Sequence, residues 1–237
     1  MKIQENYKRF LVKAIGKSPN KNNMHTIINR MNELNEASKN KFSSNEEVRH
    51  LYDNELSNFW EKIVAYENKG DEIYSLLKNI NIKNDAKILS LASGIGVFEM
   101  FIATNILSNG EIICVDLSSK MNKKANEISK KLNLKNVKII TSSANKLSIK
   151  NSSQDIVLAR RTGLSDEKIW SSVLKEVKRV MKEDSAVFVY TVQKDFCKSK
   201  KEIIKDLDSV GLKFKKIDSF KEKEGNKIMM VIAGVKI

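Results

Sequence analysis

Residues Lys87–Thr104, KILSLASGIGVFEMFIAT, constrain the fold more than any other stretch. Ile88, Leu89 and Leu91 form a short apolar run. Ala92-Ser93-Gly94-Ile95-Gly96 follows, small and glycine-rich, and Val97, Phe98, Phe101 and Ile102 then recur at helical spacing. A buried strand, a tight turn and a helix in that order open an α/β sheet, whose ligands bind just beyond the carboxyl ends of the strands. The turn therefore marks the expected site.

From residue 86 onward strand and helix patterns alternate. Strands are predicted at 87–92, 111–116, 137–141, 154–159 and 186–192, and helices at about 97–107, 118–133, 165–182 and 199–210. Ser165 is a capping residue, with Asp166 and Glu167 near the positive end of its helix, which buries Ile169, Val173, Val177 and Val180. Such alternation requires a parallel sheet covered on both faces. The ending differs. Phe214–Phe220 and Ile228–Ile237 are strand-like and joined only by the charged turn Lys221–Lys227, short enough for a hairpin and not for a crossover. The expected class is α/β: a Rossmann-like doubly wound sheet, mostly parallel with an antiparallel C-terminal strand, plus an N-terminal helical segment.

Residues 1–80 carry that segment. Tyr7, Phe10, Leu11 and Ala14 share one face of a first helix, which breaks near the single proline, Pro19. Ile27, Ile28, Met31 and Leu34 make a second stripe; Val48, Leu51, Tyr52, Leu56, Phe59, Trp60 and Ile63 make a third; Ile73 to Leu77 make a fourth. The expected organisation is a cap that selects the acceptor over 1–80 and a cofactor-binding domain over 81–237.

Composition excludes several classes. Two cysteines far apart, Cys114 and Cys197, give neither a disulfide framework nor a zinc cluster, and no metal site is expected. The start lacks the apolar run of a signal peptide, and Gly94, Gly96 and Glu99 interrupt the most apolar stretch, so a cytoplasmic protein without a membrane partner is expected. The net charge of +14 is spread along the chain and not clustered among aromatics, which leaves RNA as a secondary partner class.

Two ligands suit the glycine turn, a dinucleotide and S-adenosylmethionine. A dinucleotide fingerprint needs a third glycine where this chain has Glu99, and a carboxylate in that first helical turn would repel a pyrophosphate. S-adenosylmethionine has no phosphate and carries a sulfonium cation. Asp116, at a strand end about 20 residues beyond the turn, is placed to receive two ribose hydroxyls.

With these residues in hand, 87–191 resemble the core of class I S-adenosylmethionine-dependent methyltransferases, close to the ubiquinone/menaquinone-biosynthesis type. Ile88–Gly96 is similar to the first motif of that family, and Val115-Asp116-Leu117-Ser118 with Met121 to the second. Ser143-Ala144-Asn145, Leu147 and Asn151–Val157 resemble its adenine loop and fourth strand, and Val177–Lys182 the helix end before the fifth strand. The resemblance implies contact of the cofactor with Tyr52, Ser90, Ala92, Ser93, Gly94, Gly96, Asp116, Leu117, Met121, Ser143, Ala144, Asn145, Ala159 and Arg160. It also implies S-adenosylhomocysteine as product. The family usually has acids where this chain has Ser90 and Ser143, and a hydroxyl lacks their charge assistance.

Methyl transfer needs alignment in a dry site more than an acid or base. His50, Tyr52 and Arg161 are the catalytic candidates. His50 precedes a Tyr52-Asp53 pair of the kind that lies against the cofactor in the family resembled, and Trp60 offers an aromatic wall. Arg160 and Arg161 follow the fourth strand and suit an anionic acceptor. A small-molecule acceptor is expected. The alternatives are RNA methylation, transfer of the cofactor's aminocarboxypropyl arm as in nicotianamine-synthase-like enzymes, and a non-catalytic subunit of the same fold.

Overall fold

The computed structural model describes residues 2–16, 44–67, 70–160, 167–183, 185–194, 197–221 and 227–235. The stripe at Ile27–Leu34, His25, Arg161, Thr162 and the Ser165-Asp166 cap lie outside them.

Helix α1 (Lys2–Ile15) comes first, followed by α2 (Asn45–Leu51), a π-helical turn Tyr52–Leu56, α3 (Trp60–Glu67) and α4 (Gly70–Asn79). The third stripe is thus two short helices joined through a π-turn and not one continuous helix. Then come β1 (Lys87–Leu91), α5 (Val97–Asn105), β2 (Glu111–Asp116), α6 (Ser119–Lys131), β3 (Val137–Thr141), β4 (Ile156–Arg160), α7 (Glu167–Val180), β5 (Val187–Gln193), α8 (Lys200–Asp208), β6 (Leu212–Lys221) and β7 (Lys227–Val235).

The seven strands run in the order β3-β2-β1-β4-β5-β7-β6. Strands β1 to β5 pair in parallel, while β7 runs antiparallel to both β5 and β6. The reversal follows from the short β6–β7 connection. Alternate residues of the strands face opposite layers. Ile88, Ile112, Ile156 and Leu158 pack with α1, α4, α5 and α6; Leu89, Leu91, Val157 and Ala159 pack with α7 and α8. Both faces being covered explains the nearly unbroken apolar run of the central strands. Helix α1 is fixed by aromatic contacts, since Tyr7 and Phe10 meet Phe101 of α5 edge-on at 5.2 and 5.5 Å between ring centroids. Among the described residues, no helix is long and apolar enough to cross a membrane.

Candidate active site

Strands β1 and β4 are neighbours, yet the chain leaves them for opposite edges of the sheet. That order reversal opens a crevice at their carboxyl ends. The turn after β1, the end of β2 and the loop after β3 converge there. The Asp116 carboxylate accepts from the Gly94 amide at 2.8 Å and from the Ser118 amide at 2.9 Å, while its main-chain carbonyl accepts from Ser142 N at 3.1 Å. Burial raises the Asp116 pKa above the usual carboxylate range; the two amide bonds offset part of this, and the charges of Asp53 and Glu99 add to it.

The turn itself is tightly wound. Ala92, Gly94 and Gly96 take positive φ of 50, 58 and 68°. At Gly94 the freedom of glycine is needed twice over, because a Cβ there would meet Trp60 Nε1 at 2.8 Å. Trp60 lies over the turn, and Tyr52 packs edge-on against it with ring centroids 5.7 Å apart. Burial and the nearby Asp116 charge push the Tyr52 phenol up to about 12, so it is a neutral wall at physiological pH.

Asp53 fastens this aromatic pair down. Its carboxylate accepts from Ser118 Oγ (2.5 Å), Ser119 Oγ (3.3 Å) and Lys120 N (3.1 Å) at the start of α6. Ser118 is also the N-cap of that helix, its hydroxyl accepting from Met121 N at 3.0 Å. One residue therefore links the helical segment and α6 through its hydroxyl and the end of β2 through its amide.

Beneath the turn lies a buried polar cluster. Arg160, the last residue of β4, donates from Nε to Glu72 Oε1 (3.0 Å), from Nη2 to Glu72 Oε2 (3.3 Å) and from Nη1 to Glu99 Oε1 (2.9 Å). Ser90 Oγ donates to the same Glu99 oxygen at 2.8 Å. The guanidinium also stacks on Phe98, 3.5 Å from the ring centroid. Burial works against the Arg160 charge, but the two carboxylates outweigh it and raise the pKa still further.

Several sequence expectations change here. Arg160 is committed to Glu72 and Glu99 and does not present a free cation to an anionic acceptor. The Ser90 side chain is fully buried and holds Glu99 instead of facing the crevice. Glu99 points inward beneath β1, so its paired carboxylate does not stand where a pyrophosphate would be repelled. His50 is exposed on the last turn of α2 and, among the described residues, makes no hydrogen bond or ion pair.

The remaining expected residues lie on the turn after β1, near the ends of β2 and β4, at the start of α6 and in the loop after β3. Ala92 is exposed at the turn, and Ser93 N donates to Val115 O at 3.1 Å. Leu117 is half-buried, Met121 is fully buried at the start of α6, and Ala159 is buried in β4. Ser143 Oγ donates to Asn145 Oδ1 at 2.6 Å, and Ala144 between them is half-buried. Glu72 was missed as a site-shaping group, and for Asp53 and Glu99 the sequence held no sign of the partners they take. The one signal for Glu72 was a carboxylate beside Ile73 and Leu76 on the buried side of an amphipathic helix.

A methyltransferase-domain family model matches residues 82–230. No curated protein matches the chain by sequence. Among solved structures, magnesium protoporphyrin IX methyltransferase (ChlM) from Synechocystis PCC 6803 with bound SAM is similar over 84% of this chain and 99% of its own, at 13% identity and a TM-score of 0.66. A SAM-dependent methyltransferase from Aquifex aeolicus is similar over 68% of this chain and 87% of its own, at 21% identity and a TM-score of 0.58. The 4+2 cyclase SpnF is similar over 71% of this chain and 81% of its own, at 11% identity and a TM-score of 0.60. Identities this low establish the fold, and the cyclase shows that the fold alone does not choose the reaction. The family model, which spans more than half of the chain, places it: the protein belongs to the methyltransferase-domain family, as a class I S-adenosylmethionine-dependent methyltransferase.

Proposed function

We propose that the protein methylates a small-molecule acceptor, with Asp116 binding the ribose of S-adenosylmethionine. The observation that carries this is the Gly94 amide to Asp116 bond at the end of β2. Each carboxylate oxygen takes one amide there and keeps lone-pair capacity for a hydroxyl. Gly94 and Gly96 allow the left-handed turn that brings the Gly94 amide to Asp116, and Ala92, Ser143, Ala144 and Asn145 extend the contact toward the adenine. The residues thus fit a nucleoside without phosphates, since the neighbouring guanidinium is already neutralised by Glu72 and Glu99.

When bound, S-adenosylmethionine supplies a sulfonium-activated methyl group suited to in-line displacement. The chain's own contribution is positioning and exclusion of water, which can lower a barrier by about 7–11 kcal/mol. Tyr52 and Trp60 supply the dry wall over the turn. Residues 1–80 act as the acceptor-selecting cap and 81–237 as the cofactor domain. Arg161 is the sequence-based candidate for holding an acidic group on the acceptor.

The test is incubation with methyl-labelled S-adenosylmethionine and a cell lysate divided into metabolite and RNA fractions, with mass spectrometry of the spent cofactor. Label among the metabolites together with S-adenosylhomocysteine supports this reading. Label in RNA, or methylthioadenosine as the spent cofactor, replaces it with RNA methylation or arm transfer.

A further inference from the structure

Residues 142–153 join β3 to β4 without forming helix or strand, so their backbone groups have no ladder to hold them. The start is tied to β2, where Ser142 N donates to Asp116 O at 3.1 Å. Ser142 Oγ donates to Lys146 O at 2.9 Å and Lys146 N to Ser143 O at 3.1 Å, closing the turn that carries Ser143, Ala144 and Asn145. The far end is gripped by the last turn of α7. Arg179 donates from Nη2 to Leu147 O at 2.9 Å, and from Nη1 to Ile149 O at 2.7 Å and Asn151 Oδ1 at 2.6 Å. Glu176 Oε2 accepts from Leu147 N at 2.7 Å. Leu147 is thus held through both its N–H and its C=O by two side chains three residues apart.

Those two side chains also fix each other. Arg179 donates from Nε to Glu176 Oε1 at 2.6 Å and from Nη2 to Glu176 Oε2 at 2.7 Å. The bonds from Arg179 keep the Glu176 carboxyl below its ordinary range despite partial burial, so the pair is ionised at neutral pH. All three guanidinium nitrogens are in use, on Glu176, Leu147, Ile149 and Asn151. Only a planar fork of donors spans that set; a lysine ammonium presents its donors from one point. The grip therefore depends on geometry as well as on charge.

We propose that Arg179, braced by Glu176, is a positioning residue for the base of the cofactor: it holds the Ser143–Asn145 turn in the shape that tells adenine from other bases, without touching the ligand. The assignment rests on the reading above that this turn contacts the adenine. It gives the C-terminal turn of α7 a part in cofactor selection from outside the crevice.

The test is calorimetry with S-adenosylhomocysteine and with S-inosylhomocysteine, in which an oxo group replaces the amino group of the base. Wild-type protein should prefer the adenine ligand by about 10- to 100-fold, since hydrogen bonds directed at the base go unmade with the other. Arg179→Ala and Arg179→Lys should both narrow that preference to within about three-fold, weakening the adenine ligand and leaving the Kd of the inosine ligand within about two-fold. Where the alanine variant fails to fold, the lysine variant, which keeps the charge beside Glu176, decides. A lysine variant with the wild-type preference overturns the assignment. So does one that loses both ligands alike, which marks a merely structural arginine. Wild-type protein that binds both ligands equally overturns the assignment and leaves the cofactor reading standing. Wild-type protein that binds neither overturns the cofactor reading and, with it, this assignment.

Discussion

The Ser118 hydroxyl donates to Asp53 Oδ1 over 2.5 Å, joining the π-turn of the helical segment to the cap of α6, 65 residues away in sequence. Burial alone would raise the Asp53 pKa, but the bonds from Ser118, Lys120 and Ser119 outweigh it and hold the carboxyl below its ordinary 3.8. A group lowered in the folded state stabilises above its unfolded pKa and loses that contribution as pH falls through the folded value. Docking of the segment is therefore expected to be insensitive to pH down to about 4 and to loosen below it. Asp53→Ala should cost about 1 kcal/mol at neutral pH and remove the acid dependence. Trp60 emission in a Trp170→Phe background reports both effects.

Gly94 and Gly96 have similar backbone angles but different surroundings. A Cβ on Gly96 would find its nearest neighbour at 3.4 Å, whereas one on Gly94 would meet the Trp60 indole at 2.8 Å. Gly96→Ala should cost about 1–2 kcal/mol from the left-handed conformation alone. Gly94→Ala should cost more and displace Trp60. Thermal denaturation with Trp60 emission separates the two, and equal losses with unchanged emission would place the indole elsewhere.

Arg160→Leu leaves Glu72 and Glu99 buried without their cation. Breaking a buried pair on one side costs about 3–5 kcal/mol. Without the guanidinium the two buried carboxylates face each other without the charge that joins them, so this variant should unfold at lower denaturant concentration than wild type. Denaturant midpoints for wild type and variant measure the loss directly, and an unchanged midpoint would contradict it.

The strand and helix succession from Lys87 onward was legible because each element carries its own period and Gly94-Ile95-Gly96 sets the turn. The reversal of β7 was legible from the length of one connection. Asp116 was legible from its spacing to that turn. The Glu72–Arg160–Glu99 cluster was not, since its members lie 88 and 61 residues apart and meet only once the sheet has formed. Sequence gave Arg160 as a cation beside the crevice but held no sign that two carboxylates would claim it. The role of Asp53 was hidden for the same reason, as its partners belong to a helix cap more than 60 residues on.

Calorimetry of S-adenosylhomocysteine binding to wild type and Asp116→Asn, repeated from pH 8 down to pH 4, tests the central claim most directly. The raised pKa of Asp116, caused chiefly by burial, means the carboxylate takes up a proton above the ordinary 3.8. Wild-type affinity should therefore fall on acidification before an ordinary aspartate would titrate, and Asp116→Asn should bind about 10- to 100-fold more weakly at pH 8. Wild-type protein that does not bind the nucleoside, or an Asp116→Asn variant with an unchanged Kd, would contradict the account.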